Sequence, residues 1–296
     1  MAKCPHSFVL ARPGGHDRFE RLRFDHSIQV VTGITVPCGK CLICRQNRAR
    51  EWAQRLKHEM YFHKEMCFIT LTYDEEHIPY IEEDFTLWKN DLQLFWKRLR
   101  KRSKKIKYLA CGEYGERTSR PHYHAIIFGW QPNDVIVIAK DIRTSPMLEE
   151  CWGYGQVSVG GVEERSLHYV TGYVLKKLPE IARGARQKEF ICASQGMGLK
   201  YAEMYEEKIR KGELLTDGKD KGIPMYYRRK IIDKIGKSDS MDMRLALKKR
   251  AQRKDVILEQ TLRSRGKDLN KQVERARRQS ELELEAKISR RDKSGL

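Results

Sequence analysis

Arg120-Pro121-His122-Tyr123-His124-Ala125-Ile126-Ile127-Phe128-Gly129 reads as a single buried strand. Pro121 suits the first position of a strand, and the apolar run from Ala125 to Phe128 stops at Gly129. Side chains two apart on a strand share a face, so His122 and His124 project together while Tyr123 turns away. Two neutral imidazoles so placed can hold one divalent ion with a further ligand and leave positions open for a substrate. An isolated His-x-His also fits two unrelated strand histidines; the neighbouring segments favour the metal.

Immediately upstream, Ile106 to Glu113 reads as a strand, and the polar stretch from Tyr114 to Ser119 joins it to the histidine strand as a hairpin. Glu113 then sits where its carboxylate reaches the same ion across the ladder; Glu116, in the turn, is the alternative. Met66-Cys67-Phe68-Ile69-Thr70-Leu71-Thr72-Tyr73 is a further strand, β-branched and aromatic, closed by a loop from Asp74 to Pro79. A helix from about Thr86 to Lys101 buries Leu92, Phe95, Trp96 and Leu99 and crowds basic residues at its end. Beyond Gly129 the chain is less readable: Val135 to Ile138 is apolar, and Trp152 to Gly155 reads as a loop before a strand at Gln156 to Val159. Ser166 to Leu178 reads as a helix ending at Pro179. Its core stripe is Leu167, Val170, Val174, Leu178 and Ile181, and Tyr169, Tyr173, Lys176 and Lys177 form an adjacent stripe.

The 296 residues hold 59 basic and 40 acidic side chains, a net charge of +19 that favours a polyanionic partner. No apolar run approaches a membrane span and the N-terminal residues lack a signal-peptide core, so nucleic acid, not a membrane, is the expected partner. Cys38-Gly39-Lys40-Cys41-Leu42-Ile43-Cys44 is a thiolate cluster suited to a structural Zn²⁺, with Cys4 as fourth ligand and His6 as the alternative. An iron–sulfur cluster or ordinary reduced cysteines are the other readings. A basic helix follows from Arg45 to about His63, with Trp52, Leu56 and Met60 on its apolar side and Arg45 and Arg48 placed to track a phosphate backbone. Ile223 to Lys230 is basic and aromatic, and from about Ser238 the chain is a charged helical or disordered tail. Arg120, Arg228 and Arg229 complete the expected DNA contacts.

A paired-histidine strand, a nearby glutamate and a helix offering two tyrosines one turn apart form a coherent chemical unit. A tyrosine hydroxyl can attack a phosphodiester whose charge a metal neutralises, leaving a phosphotyrosine link and a free hydroxyl. From Cys38 to Lys230 the chain resembles the histidine-hydrophobe-histidine (HUH) nucleases that initiate rolling-circle replication, especially those of the small single-stranded DNA phages, the microviruses of gokushovirus type. The resemblance rests on Val36 to Cys41, Phe68 to Tyr73, Gly112-Glu113-Tyr114-Gly115, Arg120 to His124, and Tyr169-x-x-x-Tyr173-x-x-Lys176-Lys177, in that order. Gly172 departs from relatives that carry a basic residue between the tyrosines.

The resemblance implies that His122, His124 and Glu113 bind Mg²⁺ or Mn²⁺, that Tyr169 and Tyr173 are nucleophiles, and that Lys176 or Lys177 assists them. It implies an α+β fold, a central antiparallel β-sheet flanked by helices, with the Cys-rich knuckle before it and the charged tail after it. The expected segments are 1–64 for knuckle and basic helix, 65–180 for the nuclease core, 181–237 for the basic aromatic extension and 238–296 for the tail. The function implied is nicking of the viral strand at an origin in the host bacterial cytoplasm, alongside host helicase and polymerase, and later resealing of a circle. An HUH transposase or relaxase, and a non-enzymatic zinc-containing nucleic-acid-binding protein, are the competing classes.

Overall fold

The computed structural model describes residues 8–11, 20–21, 33–39, 41–103, 105–115, 118–140, 142–172, 185–214, 216–217, 222–236 and 238–264, with 278 and 282 beyond them. The chain divides into two compact units, Met1–Arg48 with Leu247–Leu296, and Ala49–Ala246. In the first unit β1 (Phe8–Ala11) lies between β2 (Glu20–Arg21) and β3 (Gly33–Val36), all antiparallel. The cysteine segment follows, and then α1 (Leu42–Met60), which runs from one unit into the other.

The second unit continues with β4 (Met66–Tyr73), the small pair β5 (Tyr80–Ile81) and β6 (Asp84–Phe85), α2 (Lys89–Arg102), β7 (Lys107–Tyr114) and β8 (Pro121–Phe128). Next come β9 (Ile136–Ala139), β10 (Ile142–Thr144), α3 (Pro146–Trp152), β11 (Gly155–Gly160), α4 (Glu164–Gly172) and β12 (Phe190–Ala193). Four helices close the list: α5 (Leu199–Met204), α6 (Glu206–Arg210), α7 (Met225–Ile235) and α8 (Met241–Arg263), the last running into the tail. The central sheet has five strands, all antiparallel, in the order β11-β4-β8-β7-β12. This is the expected α+β arrangement of a central antiparallel sheet with helices around it.

Strand β8 is the middle strand and is buried along both faces, which explains its unbroken apolar run. On one face Tyr123, Ala125 and Ile127 join Cys67, Ile69 and Leu71 of β4 beneath Leu92, Phe95, Trp96 and Leu99 of α2 and Leu148 and Trp152 of α3. On the other, Ile126 and Phe128 join Leu109 and Cys111 of β7 beneath Leu56 of α1 and Leu167 and Val170 of α4. Period-two alternation therefore sends each strand's two residue sets into two separate cores.

Helix α2 begins at Lys89, three residues later than its apolar pattern suggests. The backbone before it is already committed: the Leu87 N–H donates to the Tyr114 hydroxyl (3.1 Å) and the Trp88 N–H to the Tyr123 hydroxyl (2.9 Å). Helix α3 departs from the loop expected there. The stretch around Trp152 is a helix end, because Pro146 occupies its first turn and the Ser145 side chain accepts from the Leu148 N–H. Gly153 closes it in the left-handed conformation, and Trp152 is fully buried with its indole N–H on the Thr72 carbonyl (3.1 Å). A side chain at Gly155 is excluded, since a Cβ would stand 2.4 Å from the Asp74 nitrogen.

Glu59 ties α1 to this sheet from a buried position. One oxygen accepts from Lys107 Nζ (2.8 Å) and pairs with His63 Nε2 (2.9 Å), and the other accepts from the Gly198 N–H (2.6 Å). Burial pushes the Glu59 carboxyl up, but these donors outweigh it and hold the group below the usual carboxylate range. A carboxyl depressed in the folded state stabilises fully above its unfolded pKa and loses that contribution as the pH falls through its folded value. Glu59→Gln is expected to cost about 3 kcal/mol of stability near neutral pH, from a buried carboxylate network broken on one side. In thermal or urea melts the gap to the parent should close as the pH falls below the ordinary carboxylate range. A gap unchanged at low pH would remove charge from the explanation.

Candidate active site

The antiparallel register sets Glu113 of β7 directly opposite His122 of β8, with Cys111 opposite His124. From the other side, β4 sets Thr72 opposite His122 and Thr70 opposite His124. Sequence alternation and this register together bring the three metal-type side chains to one spot on the α1/α4 face. His122 Nε2 lies 2.8 Å and His124 Nε2 3.0 Å from the same Glu113 oxygen, Oε1.

The remaining imidazole nitrogens are held from behind. His122 Nδ1 is 3.1 Å from the Arg120 carbonyl, and since a carbonyl only accepts, Nδ1 carries the hydrogen and Nε2 faces the carboxylate. His124 Nδ1 pairs with Thr70 Oγ1 at 3.0 Å, and the Phe68 ring stacks on the His124 imidazole at 5.8 Å. Thr70 and Phe68 are parts of the site that sequence reading missed; the only signal for them was their even spacing on β4, which shares a face with the histidines.

Three observations fit a divalent ion here. The donor set, two imidazoles and one carboxylate, is that of open metal sites. The separations of 2.8 and 3.0 Å match adjacent ligands of an octahedron, about 3.0 Å apart for bonds of about 2.1 Å. Glu113 Oε2 is buried without a hydrogen-bond partner, a defect in the chain alone that a cation would relieve. Burial pushes the Glu113 carboxyl up, but the hydrogen bonds and charge of His122 and His124 prevail and lower it to about 2, so it is an anionic ligand at neutral pH.

Helix α4 covers this spot. Leu167 and Val170 face the sheet, as the apolar stripe predicted, and Tyr169 stands at the edge of the packed face. Its ring meets the His124 ring edge-on at 5.3 Å and the Phe68 ring at 6.0 Å. Tyr169 is thus beside the imidazole pair. Tyr173, Lys176, Lys177 and the continuation of the stripe at Val174, Leu178 and Ile181 lie outside the described residues, as does Glu116.

Among the arginines read as DNA contacts, two are engaged within the chain. Arg120 donates to the Tyr73 carbonyl (3.0 Å) and pairs with Glu75. Arg228 donates twice to the Ile223 carbonyl, at 3.0 and 2.8 Å. Arg229 and Arg48 are exposed, and Arg45 is half-buried near the start of α1. In the first unit, the Cys38, Cys41 and Cys44 sulfurs lie within 4.8 Å of one another, with Cys38 and Cys44 at 4.0 Å and the Cys41 N–H 3.3 Å from the Cys38 sulfur. Four thiolates around zinc stand about 3.8 Å apart for bonds of about 2.3 Å, so this spacing suits that ion. Cys4 and His6 lie outside the described residues.

Comparison with known proteins agrees with this geometry in placing the histidine strand at the centre. The family described as replication-associated protein ORF2 matches residues 66–178. Replication-associated protein VP4 of Bdellovibrio phage phiMH2K is 34% identical over 220 residues, covering 67% of this chain and 68% of the phage protein. Replication-associated protein ORF4 of Chlamydia phage 1 is 32% identical over 69% of this chain and 56% of its own length. Replication-associated protein ORF2 of Spiroplasma virus 4 is 32% identical over 71% of both. No solved structure matches the chain significantly.

Proposed function

This chain belongs to the family of phage replication-associated proteins, and on that premise we propose that it is the endonuclease that starts rolling-circle replication. Its substrate is single-stranded DNA at the viral origin, which it nicks, holds as a 5′-phosphotyrosine and later rejoins into a circle. The observation that carries this reading is the convergence of His122 Nε2 and His124 Nε2 on Glu113 Oε1 beside the ring of Tyr169. A structural role alone does not explain a buried carboxylate with one oxygen unpartnered. An HUH-type nuclease core, the finer description of the fold, is part of the same proposal.

His122, His124 and Glu113 would hold Mg²⁺ or Mn²⁺, which when bound polarises the scissile phosphate and neutralises its developing charge. The Arg120 carbonyl and Thr70 hydroxyl keep the two imidazoles aimed with Nε2 inward. Tyr169 supplies the nucleophile: its oxygen bonds to phosphorus, the bond from phosphorus to the 3′ oxygen breaks, and that oxygen leaves with a proton as a free hydroxyl. Lys176 or Lys177 stabilises the charge built up on the way or lowers the tyrosine pKa. Rejoining is the reverse, a 3′ hydroxyl attacking the phosphotyrosine and releasing the tyrosine. Incubating the chain with origin-containing single strands and Mg²⁺ or Mn²⁺ should yield a covalent adduct on a denaturing gel. A protein that only binds nucleic acid forms none, and a transposase or relaxase would not select the origin.

Cys38, Cys41 and Cys44, joined by Cys4, are proposed to hold a structural Zn²⁺ that contributes directly to folding. Metal analysis of the purified chain should find about one zinc, retained when His122 and His124 are both alanine. Cys41→Ser should lose that zinc and melt lower by roughly 5 °C. If no zinc is found and Cys41→Ser melts like the parent, the cysteines are ordinary core residues.

A further inference from the structure

On the same face of the sheet a second site takes shape around Arg55. Its guanidinium is sandwiched between two aromatic rings, its carbon 4.1 Å from the Trp52 ring centre and 3.9 Å from that of Tyr226. Its Nε donates to the Met197 carbonyl (3.1 Å). Three sides of the guanidinium are therefore fixed, while no carboxylate among the described residues pairs with its terminal nitrogens. Burial lowers the Arg55 pKa and the neighbouring charge of Arg229 acts the same way, against Tyr227, Tyr226 and Glu51. Glu51 itself accepts the Met225 N–H (3.0 Å) instead of pairing with the arginine.

The arginine lines an open groove of about 670 Å³, walled by Trp52, Tyr226 and Lys230 and floored by 193–196 and 199. No acidic side chain lines it. A half-buried cation held rigid without an anion, in a groove that is otherwise polar or aromatic, is preorganised for a phosphate, which a planar guanidinium grips with two parallel hydrogen bonds. The aromatic walls offer stacking surfaces to unpaired bases, which a duplex keeps covered.

The groove is placed to serve the reaction centre. Trp52, Ala193 and Tyr169 all pack against the same core cluster, and Ala193 pairs with Leu109 of β7. Leu109 is four residues from Glu113 on that strand, on the order of 13 Å at about 3.3 Å per residue. A DNA single strand leaving the His122–His124–Glu113 site along β7 reaches it within a few nucleotides.

We propose that Arg55, clamped between Trp52 and Tyr226 and assisted by Lys230, binds a backbone phosphate of single-stranded DNA flanking the scissile position. This rests on the reading of the chain as a single-strand endonuclease, and it is tested apart from cleavage. Binding of the full chain to labelled oligothymidylate is measured by anisotropy in EDTA, at several NaCl concentrations. Arg55→Met and Lys230→Glu should each raise Kd about five- to tenfold and flatten the salt dependence by about 0.7 in log–log slope, one single-strand phosphate contact. Lys97→Glu, an exposed reversal on α2 across the sheet, changes net charge equally and should shift Kd no more than about twofold. Lys230 is exposed, so its variant reports on the groove even if Arg55→Met melts early. A parent that does not bind the oligonucleotide, or a Lys230→Glu effect no larger than that of Lys97→Glu, overturns the proposal. Adduct formation with Mg²⁺ is assayed independently, so loss of nicking and loss of groove binding remain distinguishable.

Discussion

With His122 and His124 both replaced by alanine, covalent cleavage of origin single strands should fall by about a thousandfold or more, to background. The two Nε2 atoms that converge on Glu113 Oε1 disappear together, leaving a single carboxylate that cannot retain a divalent ion at ordinary concentrations. DNA binding should persist, because the net charge of +19 is unaltered by a change of neutral imidazoles and phosphate contacts dominate affinity. Glu113→Ala should behave the same way, since it removes the anionic ligand and the otherwise unpartnered Oε2. Mn²⁺ titration followed by paramagnetic resonance provides a readout besides activity: the parent should take up one ion tightly and the double variant none. Cleavage at parental rates by the double variant would sink the metal assignment.

The second large effect concerns the tyrosines. Tyr169→Phe combined with Tyr173→Phe should form no covalent DNA adduct, while each single variant still forms one, mapped by mass spectrometry to the tyrosine that remains. Tyr169 already sits edge-on to the His124 ring at 5.3 Å. Residues four apart on a helix differ by about 40° around its axis, so a helical continuation of α4 would bring Tyr173 toward the same phosphate. One nucleophile suffices for a nick. Sealing a circle while starting the next round requires a second acceptor for the regenerated origin, and an alternating pair supplies it. If Tyr169→Phe alone removes every adduct, Tyr169 is the sole nucleophile and the alternation is wrong.

How far such sites can be read in advance depends on the range of the interactions that build them. The strand over Met66–Tyr73 and the histidine strand Pro121–Phe128 were legible because alternation and apolar runs are written in consecutive residues. His122 and His124 on one face followed from strand periodicity alone, and Glu113 beside them followed from a short hairpin whose register a few residues can set. The stripe of Leu92, Phe95, Trp96 and Leu99 on α2 was likewise local. Helix α3 was not legible, since seven residues offer too little periodicity and only the Ser145 and Gly153 caps mark it.

Tertiary structure alone decided what each polar side chain meets. Thr70 became the partner of His124 from 54 residues away, and Glu59 the anchor for Lys107 and Gly198. Arg120 and Arg228 look like any other basic residues in the sequence, yet backbone carbonyls take up their guanidinium groups, whereas Arg55 is clamped between Trp52 and Tyr226 with its terminal nitrogens left to a groove. Periodicity encodes which face of an element is apolar. It carries no information on which distant segment will lie against that face, because that is set by the packing of whole elements, and so the metal-type triad was visible in the sequence while the arginine clamp was not.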